Sequence, residues 1–164
     1  MDIYCPSLTT YQRLNTRCVM VGDVGVGGNN PIRVQSMTTT DTMDTQSTIS
    51  QSIRMIEAGC EIIRITAPSI KEAENLKNIK EGLRKKGYKT PLVADIHFTP
   101  NAAKVAAKIV DKIRINPGNY ADRKKFETYE YTDKTYEREL NRIRERFTPL
   151  VKICKENGTS MRIG

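Results

Sequence analysis

Four segments of this chain repeat one pattern: a short β-prone run whose alternate residues are apolar, while the others turn polar toward its C-terminal end. In "EIIRIT" (61–66), Ile63 and Ile65 share one face and Ile62, Arg64 and Thr66 the other, because successive strand side chains point to opposite sides. In "PLVADIH" (91–97), Leu92, Ala94 and Ile96 oppose Val93, Asp95 and His97. In "DKIRIN" (111–116), Ile113 and Ile115 oppose Lys112, Arg114 and Asn116, and in "SMRIG" (160–164), Met161 and Ile163 oppose Ser160 and Arg162. A sheet covered by helices on both faces reads as continuous apolar runs. Here such a sheet would bury arginines, an aspartate and a histidine, at several kcal/mol for each unpaired charge. One face must therefore be dry and the other polar.

Helical patterns separate the strands. After "IRVQSM" (32–37), a strand candidate, comes the threonine-rich loop "TTTDTMDTQS" and a helix with Ile49, Ile53 and Ile56 on one side. Ser69 and Glu72 form a capping box ahead of a helix carrying Ala73, Leu76, Ile79 and Leu83, closed by Gly87. Pro100 opens an alanine-rich helix that should run to about Val110, with Thr99 as its N-cap. The polar stretch "PGNYADRKKFETYEYTD" then breaks the rhythm. A long helix with Leu140, Ile143, Phe147, Leu150, Val151 and Cys154 in one stripe follows, with Pro149 expected to kink or interrupt it and Gly158 to end it.

Such alternation means a parallel sheet with right-handed crossovers. An open doubly wound sheet and part of a TIM (β/α)8 barrel both satisfy the count; a complete barrel needs eight strands and about 250 residues. The side-chain phase selects the barrel, whose interior takes the second face. The expectation is a partial α/β barrel of about five parallel strands with outer helices. Residues 1–31, with "CVMVGDVGVGG", form an N-terminal β-hairpin or plug, and 32–164 the N-terminal half of the barrel, with 119–158 as a polar segment and helix. "GVGGNN" lacks the Gly-Lys-Ser/Thr of a phosphate loop and reads as a turn.

Composition narrows the function. Of 164 residues, 27 are basic and 19 acidic, a net charge of +8. The basic residues are spread along the chain and interleaved with glutamate, without a nucleic-acid-binding motif, so no nucleic-acid partner is expected; a basic RNA-binding module is the non-enzymatic alternative. No apolar run is long enough for a membrane span and the N-terminus lacks a signal-peptide design, so a cytoplasmic protein is expected. Cys5, Cys18, Cys60 and Cys154 form no C-x-x-C pair or zinc spacing, so they read as free thiols, Cys60 and Cys154 on apolar helix stripes, and no metal site is expected.

The polar face carries the chemistry. Active sites of (β/α)8 barrels lie at the C-terminal ends of the strands, where Arg64, Asp95, His97, Arg114, Asn116 and Arg162 all fall. An Asp95–Arg114 pair alone would also serve as an internal salt bridge that fixes strand register, and His97 as a structural histidine. Polar groups in phase on consecutive strands favour a pocket. Three converging guanidiniums suit a ligand with more than one negative charge, a phosphate ester or diphosphate. His97, the only histidine, would donate to an oxygen or move a proton, and Asp95 would orient it or a substrate hydroxyl; these two are the catalytic candidates. Asn116 would add a neutral hydrogen bond.

The strings "VQSMTTTDT", "GCEIIRIT", "VADIHF", "KIRINPGN" and "MRIG" resemble the N-terminal half of the 4-hydroxy-3-methylbut-2-enyl diphosphate synthases (the IspG or GcpE family), over nearly the whole chain. The segment from "YADRKKFE" to "RFTPLVKICKENG" is similar to the family's long form. The resemblance implies reductive ring opening of 2-C-methyl-D-erythritol 2,4-cyclodiphosphate in the non-mevalonate (MEP) isoprenoid pathway, in a TIM barrel that holds the diphosphate. It places Arg64, Asp95, His97, Arg114, Asn116 and Arg162 on the family's pocket positions. It also implies a 4Fe–4S cluster held by a C-terminal domain, with ferredoxin or flavodoxin as electron donor. That iron–sulfur domain is absent from this chain, which is expected to be a fragment without turnover of its own. Its open edges are expected to make it a homo-oligomer. A dihydropteroate-synthase-like barrel that binds phosphate and pterin is the catalytic alternative.

Overall fold

The structure is a computed structural model that describes residue 9 and residues 14–121 and 130–164. Cys5, most of the stretch ahead of the hairpin, and residues 122–129 of the polar segment lie outside the described residues. The hairpin expected near the N-terminus is β1 (Val19–Val21) paired antiparallel with β2 (Val24–Val26). Then come β3 (Gln35–Met37), α1 (Thr45–Glu57), β4 (Ile62–Thr66), α2 (Ile70–Lys85), β5 (Leu92–Ile96), α3 (Pro100–Ala106) and β6 (Lys112–Ile115). A short α4 (Pro117–Ala121), a long α5 (Asp133–Asn157) and β7 (Ser160–Ile163) complete the chain.

The five strands β3 to β7 lie side by side in chain order, all parallel. That order decides between the two candidate architectures. A doubly wound sheet reverses its strand order at a switch point. Here every crossover lands beside its predecessor, as in a barrel wall. Ile63, Ile65, Leu92, Ala94, Ile96, Ile113 and Ile115 pack into one cluster with helical Ala73, Leu76, Ile79, Leu83 and Leu150. Burying each of these isoleucines or leucines contributes about 1.5–3 kcal/mol. The helices thus cover the face that the alternation marked as apolar.

Local signals hold the helices in place. The Asp44 side chain accepts from the Ser47 N–H and starts α1, while Ser69 and Glu72 make the expected reciprocal capping box on α2. Thr99 stands at the N-cap of α3, but its hydroxyl donates to the Pro68 carbonyl instead of capping the helix. That helix ends at Ala106, short of Val110, because the chain tightens there into i→i−3 bonds (Lys108 N–H to Val105, Ile109 N–H to Ala106) before entering β6. Pro149 does not interrupt α5, which runs through it to a left-handed cap at Gly158 (φ 65°). The proline is exposed, and the carbonyl that it deprives of a partner belongs to an exposed residue, so the lost bond falls on the solvent side of the helix. The expected α5 stripe is only partly covered: Leu150 and Cys154 are buried, while Leu140 and Val151 are exposed. Val151 is turned about 100° from Leu150 around the helix axis, off the buried line. Cys60 sits in the turn between α1 and β4 instead of on a helix. β3 is also shorter than 32–37, and every residue in it is exposed, as befits an edge strand.

The hairpin closes the lower end of the other face. Val21, Ile62 and Val93 are buried together, with Val24 and Val26 packed against them. Ile62 and Val93 are the apolar members of the polar face, nearest the N-terminal ends of their strands. Gly27 turns the chain back under this cluster at φ 82°, where an added Cβ would run into the Arg17 carbonyl. The polar face therefore has an apolar floor and a charged rim.

Candidate functional site

Strand register places the rim residues in layers. Thr66, Asp95, Arg114 and Arg162 are successive partners across β4 to β7, and one layer below run Met37, Arg64, Val93, Lys112 and Ser160. All of them lie on the face away from the helical cluster. His97 and Asn116 follow Asp95 and Arg114 by two residues, at the C-terminal end of that face.

Asp95 is the hub. Only 2% of its side chain is exposed, and it is held between two guanidiniums. The Arg64 Nη2 donates to its Oδ2 at 2.6 Å, and the Arg114 Nη1 to its Oδ1 at 3.3 Å. A buried carboxylate with a charge-assisted partner on each oxygen is what the desolvation cost demands. Arg64 reaches up one layer to make its bond. Its Nε is buried and has no hydrogen-bond partner among the described residues. The register-fixing salt bridge is thus present, extended to a second arginine. Asp95 neutralises one charge of the cluster and fixes the direction of both forks.

His97 stands nearby without joining the hydrogen-bond network. Its Nε2 is 3.6 Å from Asp95 Oδ1, beyond a normal hydrogen bond, and its side chain is 41% exposed. Its ring meets Phe98 edge-on at 5.9 Å, and Phe98 itself is 67% exposed. Asn116 is partly occupied: its Oδ1 accepts from the Asn119 N–H at 3.2 Å and so starts α4. Its amide nitrogen is the part left to donate. Arg162 is exposed, in register with Arg114, and pairs with no carboxylate among the described residues.

Of the six residues expected here, the structure brings Arg64, Asp95 and Arg114 into direct contact and sets His97, Asn116 and Arg162 around them. Sequence reasoning did not single out Gly164. A Cβ at that position would collide with the Arg114 guanidinium, so the glycine leaves room for the arm that reaches Asp95. Thr66 was also passed over, although it completes the layer of Asp95, Arg114 and Arg162. Its place two residues after Arg64 was the available signal.

The sequence of a relative from Akkermansia muciniphila is 59% identical over 161 residues, which is 98% of this chain and 28% of the relative. One from Leptospira interrogans is 58% identical over 154 residues (94% of this chain, 23% of the relative), and one from Protochlamydia amoebophila 53% over 162 (98% and 25%). Each of the three is described as 4-hydroxy-3-methylbut-2-en-1-yl diphosphate synthase (flavodoxin). The chain thus spans about a quarter of the length of the curated relatives it matches. Among solved structures, 7,8-dihydropteroate synthase from Vibrio fischeri aligns with a TM-score of 0.45 and 15% identity over 88% of this chain and 63% of that one, too distant to bear on function. The sequence model of the GcpE TIM-barrel domain matches residues 16–164, the described strands and helices throughout, and the chain belongs to that family.

Proposed function

We propose that this segment is the substrate-binding barrel portion of an oxidoreductase acting on 2-C-methyl-D-erythritol 2,4-cyclodiphosphate. The product would be 4-hydroxy-3-methylbut-2-enyl diphosphate, in non-mevalonate isoprenoid biosynthesis. The observation that carries the reading is the Arg64–Asp95–Arg114 cluster, with Arg162 in register beside it, on the open face of a barrel wall. Asp95 occupies one side of each guanidinium and leaves other N–H donors of the two forks for phosphoryl oxygens. The half-exposed His97 is placed to meet a ligand oxygen or move a proton, and the Asn116 amide to donate a neutral hydrogen bond.

Reduction needs an electron source, and the residues described here do not fit an iron–sulfur cluster. Among them no three His, Cys, Asp or Glu side chains group as metal ligands. Cys18, Cys60 and Cys154 are free thiols on separate parts of the fold. We therefore assign the 4Fe–4S cluster to another region of a longer protein, with a flavodoxin or ferredoxin as donor, and route no step through it. This chain's part is binding and orientation.

Two edges also call for cover. β3 is exposed throughout, and Ile32 and Ile163 beside the open strands are 80% and 58% exposed. We infer that copies of the chain self-associate through these edges. Sedimentation should show a concentration-dependent mass, and a monomer at every concentration would count against it. The test of the binding reading is calorimetry of the cyclodiphosphate against the chain and an Arg114→Ala variant. Binding that the substitution abolishes is the expected result; a variant that binds as well as the parent would remove the basis for the assignment. A pterin that displaces the cyclodiphosphate would favour the dihydropteroate-synthase-like alternative.

A further inference from the structure

Lys112 belongs to the polar face but takes no part in the Arg64–Asp95–Arg114 contacts. It stands on β6 in register with Val93 and Ser160, one layer below Asp95, Arg114 and Arg162. A neighbouring parallel strand is about 4.8 Å away and two residues rise about 6.6 Å, so the Lys112 and Arg162 backbones are within about 8 Å on one face. The two side chains line the same cavity, about 600 Å³ in volume, which has hairpin residues Val26, Gly27 and Gly28 on its other side.

The charge balance of this face is uneven. Both carboxylate oxygens of Asp95 are taken by Arg64 and Arg114. Among the described residues, neither Lys112 nor Arg162 is paired with a carboxylate. The charges of Arg162 and Arg64, both of its own sign, act on Lys112. A partly buried ammonium between like charges is costly, and burial, then Arg162 and Arg64, push the Lys112 amine below its ordinary 10.5. Only an anion entering the cavity relieves both cations at once. A lysine suits that task as a mobile point charge with three donors, where the forked arginines above fix geometry.

We propose that Lys112 is a further anion-contacting residue of this face, forming with Arg162 a cationic pair that takes a phosphoryl group of a diphosphate. The inference rests on the diphosphate reading above and deepens it. Four cations against one carboxylate leave an excess that a singly charged ligand does not balance.

The probe is inorganic pyrophosphate, added to the chain with its lysine side chains isotopically labelled for NMR, with calorimetry alongside. The Lys112 ammonium signal should shift on titration, and Lys112→Met should weaken binding roughly tenfold, with Lys112→Arg restoring most of it. Binding that Arg114→Ala weakens but that leaves the Lys112 signal and the Lys112→Met affinity unchanged would overturn this inference alone. Absence of any pyrophosphate binding would overturn the diphosphate reading together with it. A Lys112→Met variant that loses melting temperature without losing affinity would make the lysine structural, and so refute the proposal. Should that variant fail to fold, the signal of the unsubstituted chain decides: a shift supports the contact and none refutes it.

Discussion

The two faces of the same sheet solve opposite problems with alternate residues of the same strands. The face toward the helices carries Ile63, Ile65, Leu92, Ile96, Ile113 and Ile115, each no more than 2% exposed, and packs into one hydrophobic cluster with helical side chains. The opposite face is apolar only at its floor, where Ile62 and Val93 meet the hairpin, and charged at its rim. The first face is non-directional packing and tolerates many sequences of similar volume. The second depends on which nitrogen meets which oxygen. Stability and ligand binding should therefore respond to different substitutions one residue apart in sequence.

The sharpest test of that separation is Ile63→Ala beside Arg64. Emptying a fully buried site on the helical face should cost about 2–5 kcal/mol in a denaturant titration. Pyrophosphate affinity of the fraction still folded should stay unchanged; a parallel loss of affinity would mean that the faces are not independent. Asp95→Asn should act on both properties in opposite directions. It removes the carboxylate shared by two partly exposed arginines, which should cost about 2 kcal/mol of stability. It also removes the negative charge that Arg64 and Arg114 share, so plain pyrophosphate should bind more tightly, by calorimetry.

Gly27→Ala probes the floor. A side chain at φ 82° against the Arg17 carbonyl should cost about 1–3 kcal/mol. The loss should be read as earlier exchange of the Val21 amide, with the Arg64–Asp95 contact intact. The smallest effect belongs to the junction of hairpin and sheet. The Val34 N–H and then the Arg33 guanidinium hold the Glu61 carboxyl below its ordinary 4.5. A lowered folded value stabilises the fold fully above 4.5, and that contribution fades as pH falls through the lowered value. The acid limb of a melting-temperature profile should show it, and Glu61→Gln should flatten that limb.

Much of this architecture was legible because it is periodic. Alternation within strands, the Ser69–Glu72 box and the left-handed stop at Gly158 each act over a few residues, and each appears as expected. Pro149 misled for the same reason: its local preference for a break was overridden by Leu150 and Cys154, which tie that part of α5 to the core. The exposure of Leu140 and Val151 was not legible, since it depends on how far the neighbouring elements reach along α5.

The charged rim divides along the same line. Residue type and strand phase by themselves put Arg64, Asp95, Arg114 and Arg162 on one face, because a strand side chain has only two directions to take. Only the tertiary structure decided that Asp95 would hold Arg64 and Arg114, that His97 would stand just out of bonding range, and that Gly164 would make room for an arginine. It also left Lys112 without a carboxylate partner among the described residues. Those outcomes depend on inter-strand register and side-chain reach, which compare residues far apart in the chain and leave no trace in any short stretch of sequence.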